Sequence, residues 1–430
     1  MSDLNRIESN NAELRECIQI AESLPDAPKT SFTLQDFVRS RGLGYLYYKS
    51  PNVTPEQLAW LCDVDLSAHV FLGYMFATGG YKTTTVPLFD TSNATDMTHM
   101  FDGAKGLKTV PLLNTSKVGY MDHMFYICEK LEEVPLFDMS AVKDASYMFY
   151  YCTLLKSIPQ FNLSNVENAN QMFYNCKALI EVPDLNLSKA TKCEQMFNNC
   201  TTLTKVGDII FQNNVNARYL FGSCNNLVSF GNISFSKITN MDSMFSSCKK
   251  LTSLPVIDCA NSNTLYYICY NCAELTSASF TNTSNVTNAG SAFHSCGKLV
   301  SLNGVDARNI TQWSGFVQYC SALANLTVKN IKATLQVGSG TSWGHLLTVD
   351  SLVGLCYELR DTGSTKTLTV GSANLDKLAS VYVRSIDITD AMRAEDDLID
   401  EKLPFEVCDS TAEGATLIAD YVVLKNWKLA

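Results

Sequence analysis

Cysteine is the most reactive residue type in this chain of 430 residues, which contains sixteen cysteines. So many cysteines first suggest metal binding or redox chemistry. Nine of them, however, recur at intervals of 24 residues, and each is followed three positions later by leucine. This setting favours a small, buried, apolar side chain. The nine are Cys128, Cys152, Cys176, Cys200, Cys224, Cys248, Cys272, Cys296 and Cys320.

Two chemical roles remain to be weighed for these thiols. Neighbouring copies could form disulfide bonds, but nine is an odd number. The first residues also lack the apolar core of a signal peptide, so we expect a cytoplasmic origin, which disfavours oxidation. Cys269 and Cys272 have the spacing of half a zinc site, yet Cys272 belongs to the recurring set and no second pair has suitable spacing. We therefore predict a reduced structural cysteine ladder, with no metal and no cofactor.

The histidines and the known catalytic motifs give no sign of an active site. His99 and His123 share one position of the repeat, which later holds Tyr147, Gln171 and Gln195. A position that accepts all of these is expected to be exposed and to have no metal-binding or catalytic role. The sequence contains no phosphate-binding glycine loop, nucleophile elbow or His-Glu-x-x-His motif. We expect no catalytic residues and a protein that is not an enzyme.

Tyrosines are the candidate binding residues. Tyr126, Tyr150 and Tyr174 occupy one position in three successive copies, and Tyr147 and Tyr151 lie close by. A row of tyrosines suits a sugar or a protein partner, because the ring offers an apolar face and a hydroxyl group. The alternative is that these rings only pack between copies and stiffen the repeat.

A repeat of 24 residues positions all these side chains, in about eleven copies. In each copy, Val-x-x-Met-x-x-Met-Phe-x-x-Cys has apolar residues at three- and four-residue spacing, which predicts a short helix. Leu-x-x-Val-Pro-x-Phe predicts a short strand ended by proline, and Asn/Asp-x-Ser predicts a turn. One such unit cannot bury its apolar face alone, whereas stacked units can. The predicted fold is an α/β solenoid with a parallel sheet and one short helix per coil.

The repeat also carries a resemblance to a known family. The pattern Met-Phe-x-x-Cys-x-x-Leu-x-x-Val-Pro, followed by Asn-x-Ser-x-Val, resembles the BspA-type leucine-rich repeat and the similar repeat of Mycoplasma surface lipoproteins. The resemblance covers about residues 65–335. It implies a leucine-rich-repeat solenoid whose relatives are mostly surface or adhesion proteins.

We divide the chain into four parts. These are an N-terminal helix (1–25), a connector (26–64), the solenoid (65–335) and a C-terminal capping module with an acidic insertion (336–430). The first part has apolar residues at alternating three- and four-residue spacing, with Asn11 at one core position. This pattern is typical of a short coiled coil, which would make a homo-oligomer, or of a single amphipathic helix.

The expected function follows from charge and from the two ends. A formal charge of −10 argues against a nucleic-acid partner, and no apolar run is long enough to insert into a membrane. The first residues lack the apolar core of a signal peptide. The opening LNRIESNNAELRECIQIAESLPDA resembles the N-termini of tail and structural proteins of gut phages. The ending ITDAMRAEDDLIDEKLPFEVCDSTAEGATLIADYVVLKNWKLA resembles the end of similar phage-encoded repeat proteins. This resemblance implies a virion tail protein that attaches to other tail proteins through its N-terminal helix and binds a host surface protein or glycan. The alternative is a bacterial cell-surface adhesin of BspA type.

Overall fold

The computed structural model describes residue 58, residues 70–77 and 84–330, and the backbone of residues 335–337, 366–370 and 427–429. The described residues belong to two compact units. The first unit is Met1–Asn213 with Phe230–Ile233, and the second is Asn214–Ser229 with Ser234–Ala430. The predicted N-terminal helix (1–25) and nearly all of the connector and the capping module lie outside the described residues. Among the described helices, none has the length and apolar character of a membrane span.

Short parallel strands recur along the described chain, as predicted for a solenoid. They are β1 (Glu181–Val182), β2 (Leu185–Asn186), β3 (Lys205–Val206), β4 (Ile209–Ile210), β5 (Val215–Asn216), β6 (Ser229–Phe230), β7 (Ile238–Asn240), β8 (Ser253–Asp258), β9 (Ser277–Thr281), β10 (Ser301–Asp306), β11 (Asn325–Lys329), β12 (Leu335–Val337), β13 (Lys366–Val370) and β14 (Trp427–Leu429). Two 3-10 turns cover Phe235–Lys237 and Thr283–Asn285.

The strand pairing follows the repeat. In the first unit β1 pairs with β3 and β2 pairs with β4; in the second unit β5 pairs with β7, and β8 to β11 form one sheet in sequence order. The partners Ser277, Ser301 and Asn325 lie 24 residues apart, so each coil adds one strand to the sheet. β12, β13 and β14 form a separate parallel sheet. The predicted parallel solenoid is confirmed.

The helix predicted in every coil is wrong for the described residues. The apolar segment is a run of overlapping tight turns, in which the N–H of Met100 donates to the carbonyl of Met97 and that of Ala104 to the carbonyl of Phe101. Every second N–H instead crosses to a carbonyl of the next coil, over 2.7–3.0 Å: Met97 to Tyr120, His99 to Asp122, Phe101 to Met124 and Gly103 to Tyr126. An α-helix would need these donors for its own i→i−4 bonds.

Two left-handed residues in each coil keep the segment from becoming a helix. One precedes the Met-Phe pair and the other precedes the cysteine, with φ near +50° to +65°. The first set contains His99, His123, Tyr147, Gln171, Gln195, Tyr219, Ser243, Tyr267 and Ser291; the second contains Ile127, Tyr151, Asn175, Asn199, Ser223, Ser247, Asn271, Ser295 and Tyr319. A positive φ at the third position of a turn is normally given to glycine or asparagine. Other residues there cost roughly 1–2 kcal/mol each.

Phenylalanine rings stacked from coil to coil form the centre of the first unit. Phe76, Phe101, Phe125, Phe149, Phe173 and Phe197 stack at centroid distances of 5.2–5.4 Å and within 6° of parallel. All six are fully buried. Pairs of this kind contribute about 0.5–1.5 kcal/mol beyond their buried area. The fixed Met-Phe pair of the repeat therefore supplies a continuous core.

Proline interrupts the strand ladder of the first unit. The N–H of Gly207 donates to the carbonyl of Val182, and the N–H of Gly231 to that of Val206, both at 2.9 Å. Pro183 and Pro159 hold the same position in the two preceding coils, and proline has no N–H to donate. This explains why the described residues between 84 and 180 form no extended strand.

The predicted Asn/Asp-x-Ser turn is confirmed. The backbone N–H of Ser116 donates to Oδ1 of Asn114 at 3.2 Å, and that of Ser140 to Oδ1 of Asp138 at 2.9 Å. These are bonds of an Asx turn, in which a side chain replaces a backbone carbonyl. They close each coil after its strand segment.

We predict that Ile127→Asn stabilises the protein. Ile127 is β-branched and sits at φ +55°, where Asn175 and Asn199 occupy the same position of later coils. Asparagine tolerates this conformation, so the free energy of unfolding should rise by about 1 kcal/mol. Urea denaturation measures the change.

The matched control is Ile180→Asn. Ile180 is 50% exposed and is not among the residues with positive φ. It should show no gain in the free energy of unfolding. Equal effects of the two substitutions would contradict strain at Ile127.

Candidate functional site

The tight-turn segment brings the predicted tyrosines together on one surface of the first unit. We call this surface the tyrosine face; it consists of Tyr74, His99, His123 and Tyr147 in one column, Tyr126, Tyr150 and Tyr174 in a second column, and Tyr151 beside them. The buried side chains of the same segment are methionine, phenylalanine and cysteine. The left-handed residues turn the chain so that the intervening side chains lie outside this core. All five sequence-predicted binding residues belong to the face.

The first column is a continuous aromatic stack. Ring centroids are 4.5 Å apart for Tyr74 and His99, 4.2 Å for His99 and His123, and 4.7 Å for His123 and Tyr147. All three pairs lie within 12° of parallel. The amide nitrogen of Gln171 donates to the Tyr147 hydroxyl at 3.0 Å and continues the column. The histidines expected to be exposed are half-buried in this stack.

The second column has the same geometry. Tyr126 and Tyr150 stack at 4.7 Å, and Tyr150 and Tyr174 at 4.9 Å. Tyr151 is 37% exposed and tilts by 42° against Tyr150. Both faces of the Tyr150 ring are thus covered by neighbouring rings. What the columns offer to a ligand is a row of ring edges with hydroxyl groups.

The phenols of the second column remain protonated under physiological conditions. Burial, followed by the neighbouring phenols of Tyr126, Tyr151 and Tyr174, raises the pKa of Tyr150 to about 12. Burial also raises the pKa of Tyr126 and of Tyr174. Each hydroxyl can therefore donate a hydrogen bond and carries no charge.

Three potential metal ligands meet at the edge of the tyrosine face. One ligand atom each from His99, Asp122 and His123 lies within 4.8 Å of the others. Nδ1 of His99 is 2.8 Å from Oδ2 of Asp102, and Nδ1 of His123 is 3.3 Å from Oδ2 of Asp122. Burial alone would raise the pKa of Asp122, but hydrogen bonds from His123 and Thr98 outweigh it and lower the pKa.

The stacked rings do not suit a shared metal ion. Zinc binds imidazole nitrogen at about 2.0–2.1 Å along the lone pair, which lies in the ring plane. The His99 and His123 planes are parallel within 11° and their centroids are 4.2 Å apart. Both lone pairs could point at one ion only if a ring left the stack. That no metal is bound stays a prediction.

The nine cysteines of the ladder lie in the core, and thiols of the ladder hydrogen-bond to backbone carbonyls. The thiol of Cys152 donates to the carbonyl of Phe125 at 3.1 Å, and the thiol of Cys320 to that of Phe293 at 3.0 Å. All twelve cysteines that the structure describes are buried free thiols. Burial raises the pKa of Cys152 and of Cys248 well above the usual value for a thiol. The bonds from these thiols to the preceding coil were not foreseen from sequence.

Sequence reasoning also missed a second group of aromatic residues, in the second unit. Tyr266, Tyr267, Tyr270, His294 and Tyr319 lie in ring contact with one another. Tyr267 occupies the repeat position of His123, and Tyr270 that of Tyr126. These tyrosines form no visible run in the sequence, because the same repeat positions hold serine or glycine in neighbouring coils. Comparison of each outward position through all copies would have revealed the group.

Comparison with known proteins adds one family. A family model described as "Mycoplasma protein of unknown function, DUF285" matches residues 70–183, 112–210 and 213–330, which together make more than half of the chain. A leucine-rich repeat protein from Bacteroides ovatus is similar at 17% identity over 60% of this chain and 83% of that one, with a TM-score of 0.23. The plant peptide hormone receptor RGFR1 in complex with RGF2 is similar at 12% identity over 64% and 66%, with a TM-score of 0.12. No curated protein matches.

We predict that the ladder thiols are unreactive while the protein is folded. Iodoacetamide attacks the thiolate, and burial both blocks access and suppresses the thiolate. Mass-spectrometric mapping after alkylation at pH 8 should find Cys128 to Cys320 unmodified in the native protein and fully modified in guanidinium. Rapid native labelling of Cys152 or Cys176 would contradict the buried ladder.

Proposed function

The chain belongs to the DUF285 family, and we propose that it is a non-enzymatic recognition protein. In this proposal it binds a protein partner through the tyrosine face. The observation that carries the proposal is the composition of the outward positions. The three columns that flank the Met-Phe pair and the cysteine hold Tyr, His, Gln, Asn, Ser and Gly from His99 to Tyr319, and Asp102 and Ile127 are the two exceptions.

This composition suits recognition. Tyrosine supplies a large contact area and has few rotatable bonds, whereas serine, glycine and asparagine supply adaptable hydrogen bonding, and binding loops of antibodies use the same set. The centres of protein interfaces are depleted in charged residues. The buried positions of the repeat do not vary in this way. Met172 and Met196, for example, occupy the same buried position in two successive coils.

The ring geometry favours a protein over a sugar at this face. A sugar stacks on the face of an aromatic ring, but the faces of Tyr150 are taken by Tyr126 and Tyr174. Ring edges and hydroxyl groups remain, and these contact backbone carbonyls and apolar side chains well. Because neighbouring rings already hold one another in place, binding orders few side chains and costs little conformational entropy.

We further propose that the protein is part of a phage tail. Its partner is then a host surface protein or a neighbouring tail protein, and its N-terminal segment (1–25) attaches it to the particle. The resemblance of both ends to gut-phage tail proteins supports this location. The second candidate is a bacterial cell-surface adhesin, which the BspA-like character of the repeat supports.

The location is tested on the purified phage particle. We expect mass spectrometry of gradient-purified virions to detect this chain in stoichiometric amount, and cryo-EM to place it on the tail. Detection only in the host cell-surface fraction would overturn the virion proposal in favour of the adhesin.

The binding role is tested by removing the ring edges. The triple variant Tyr126→Ser, Tyr150→Ser, Tyr174→Ser should lower the binding of the fluorescently labelled full chain to protease-sensitive sites on host cells at least tenfold. Serine occupies the same position at Ser246, so the fold accepts it. Tyr120→Ser is the matched control, since Tyr120 is 48% exposed and lies outside both columns.

A second variant separates lost binding from lost stability. Tyr151→Asn places asparagine at a left-handed position that Asn175 and Asn199 occupy in the next coils. It should be at least as stable as the parent and still bind more weakly. Unchanged binding by both the triple variant and Tyr151→Asn would refute recognition by this face and leave packing as its role.

A further inference from the structure

We propose that the second unit carries a separate binding site for a neutral glycan, on the aromatic cluster of Tyr266, Tyr267, Tyr270, His294 and Tyr319. We call this cluster the open aromatic patch. It belongs to the second unit, whereas the tyrosine face belongs to the first. Its rings meet mostly at steep angles, whereas those of the tyrosine face stack in parallel. It therefore stands independently of the protein partner proposed above.

The rings of the patch meet mostly at steep angles. Tyr266 and Tyr267 lie 4.3 Å apart at 74°, Tyr267 and Tyr270 4.8 Å apart at 41°, and His294 and Tyr319 5.0 Å apart at 78°. Tyr270 and His294 alone are near parallel, at 19°. An edge-to-face contact places the edge of one ring on a face of the other, so the first ring keeps both of its faces free of that partner. Tyr266 and Tyr319 are accordingly 39% and 47% exposed.

Small residues hold the repeat positions on both sides of Tyr267. Tyr267 stands between Ser243 and Ser291 in its column, and Gly315 follows. By contrast, the equivalent Tyr147 is covered by the His123 ring and by Gln171. The large side chains that fill the tyrosine face are therefore missing on both sides of Tyr267.

Two glycines pack closely against the side chains of the patch. A Cβ at Gly290 would lie 3.3 Å from Cδ2 of Tyr266, so the Tyr266 ring packs directly on this glycine. A Cβ at Gly315, whose φ is +70°, would lie 2.8 Å from Oγ of Ser291 and 3.5 Å from Cδ2 of His294. A larger residue at either position would crowd the patch.

Hydrogen-bonding groups surround the open rings. Oγ of Ser295 is 2.8 Å from Nδ1 of His294, and the side chain of Gln318 approaches Gly315. The Tyr266 and Tyr267 hydroxyls are close enough to interact. An uncovered ring next to hydroxyl, amide and imidazole groups matches a pyranose, which has an apolar C–H face and a rim of hydroxyls.

The charge of the patch favours a neutral sugar over an anionic one. Its five aromatic residues carry no formal charge when the imidazole is neutral, and burial lowers the pKa of His294. The charged group that acts on Tyr266 is Asp242, a carboxylate, which hydrogen-bonds to Thr264 and would repel a sulfated or sialylated ligand. Among the described residues, no cation shifts the pKa of Tyr266, and the guanidinium of Arg218 lies over the ring of Tyr219, which is not part of the patch.

The test uses the full chain on an array of defined oligosaccharides, neutral and anionic, followed by calorimetry with the best neutral glycan. The double variant Tyr266→Ser, Tyr319→Asn removes the two most exposed rings. Ser146 and Ser314 occupy the position of Tyr266, and Asn271 that of Tyr319, so both replacements use residues that the repeat already accepts. We expect the double variant to bind at least tenfold more weakly.

Three outcomes would overturn the proposal: no binding of the parent chain to any neutral glycan, full binding by the double variant, or a preference for anionic glycans. Loss of glycan binding in the variant Tyr126→Ser, Tyr150→Ser, Tyr174→Ser would also contradict it, because that variant changes only the tyrosine face. Retained glycan binding by that variant, with loss of host-protein binding, is the expected result and separates the two proposals.

Discussion

The hydrogen bonds from every second backbone N–H to the next coil are the constraint on which the structure depends. In the tight-turn segment these bonds run from Phe101 to Met124, from Phe125 to Met148 and from Phe149 to Met172, each at 2.8 Å. Each coil is a template for the next, so a side chain and its equivalent 24 residues later must lie one above the other. The Phe stack and the cysteine ladder follow directly. The strained left-handed residues are the energetic cost of this arrangement. They persist because hydrogen bonds to the coils on both sides fix their conformation.

The same constraint determines what the outward positions can bind. Where aromatic residues follow one another in a column, as from Tyr126 to Tyr174, the ring faces cover one another. Where an aromatic residue has small neighbours, as Tyr267 has Ser243 and Ser291, no ring of its own column stacks on it. Two surfaces of similar composition therefore differ in chemistry because of the order of residues along a column.

The sequence predicts the repeat, the parallel sheet and the Asx turns, because each depends on a local signal. It does not predict the turn segment. Overlapping turns bury Met97, Met100, Phe101 and Ala104, and this three- and four-residue spacing is the same as that of a helix. The usual sign of a left-handed residue is glycine or asparagine, but here these positions often hold tyrosine, histidine or isoleucine. The repeat alone predicts that Tyr126, Tyr150 and Tyr174 lie together. That their ring faces cover one another is known only from the ring geometry in the structure.

The strain at the outward positions also bears on whether the tyrosines only pack. Glycine or asparagine would fit every left-handed position at little cost, and Gly103, Asn175, Asn199 and Asn271 do so. Tyrosine there costs roughly 1–2 kcal/mol. For Tyr147, stacking on His123 returns about 0.5–1.5 kcal/mol, so packing could account for it. Tyr151 and Tyr319 are among the exposed side chains, so burial of the ring contributes less at these two positions. Asparagine would carry less strain at both positions, and the binding proposed for these surfaces offers a reason for the tyrosines that stand there.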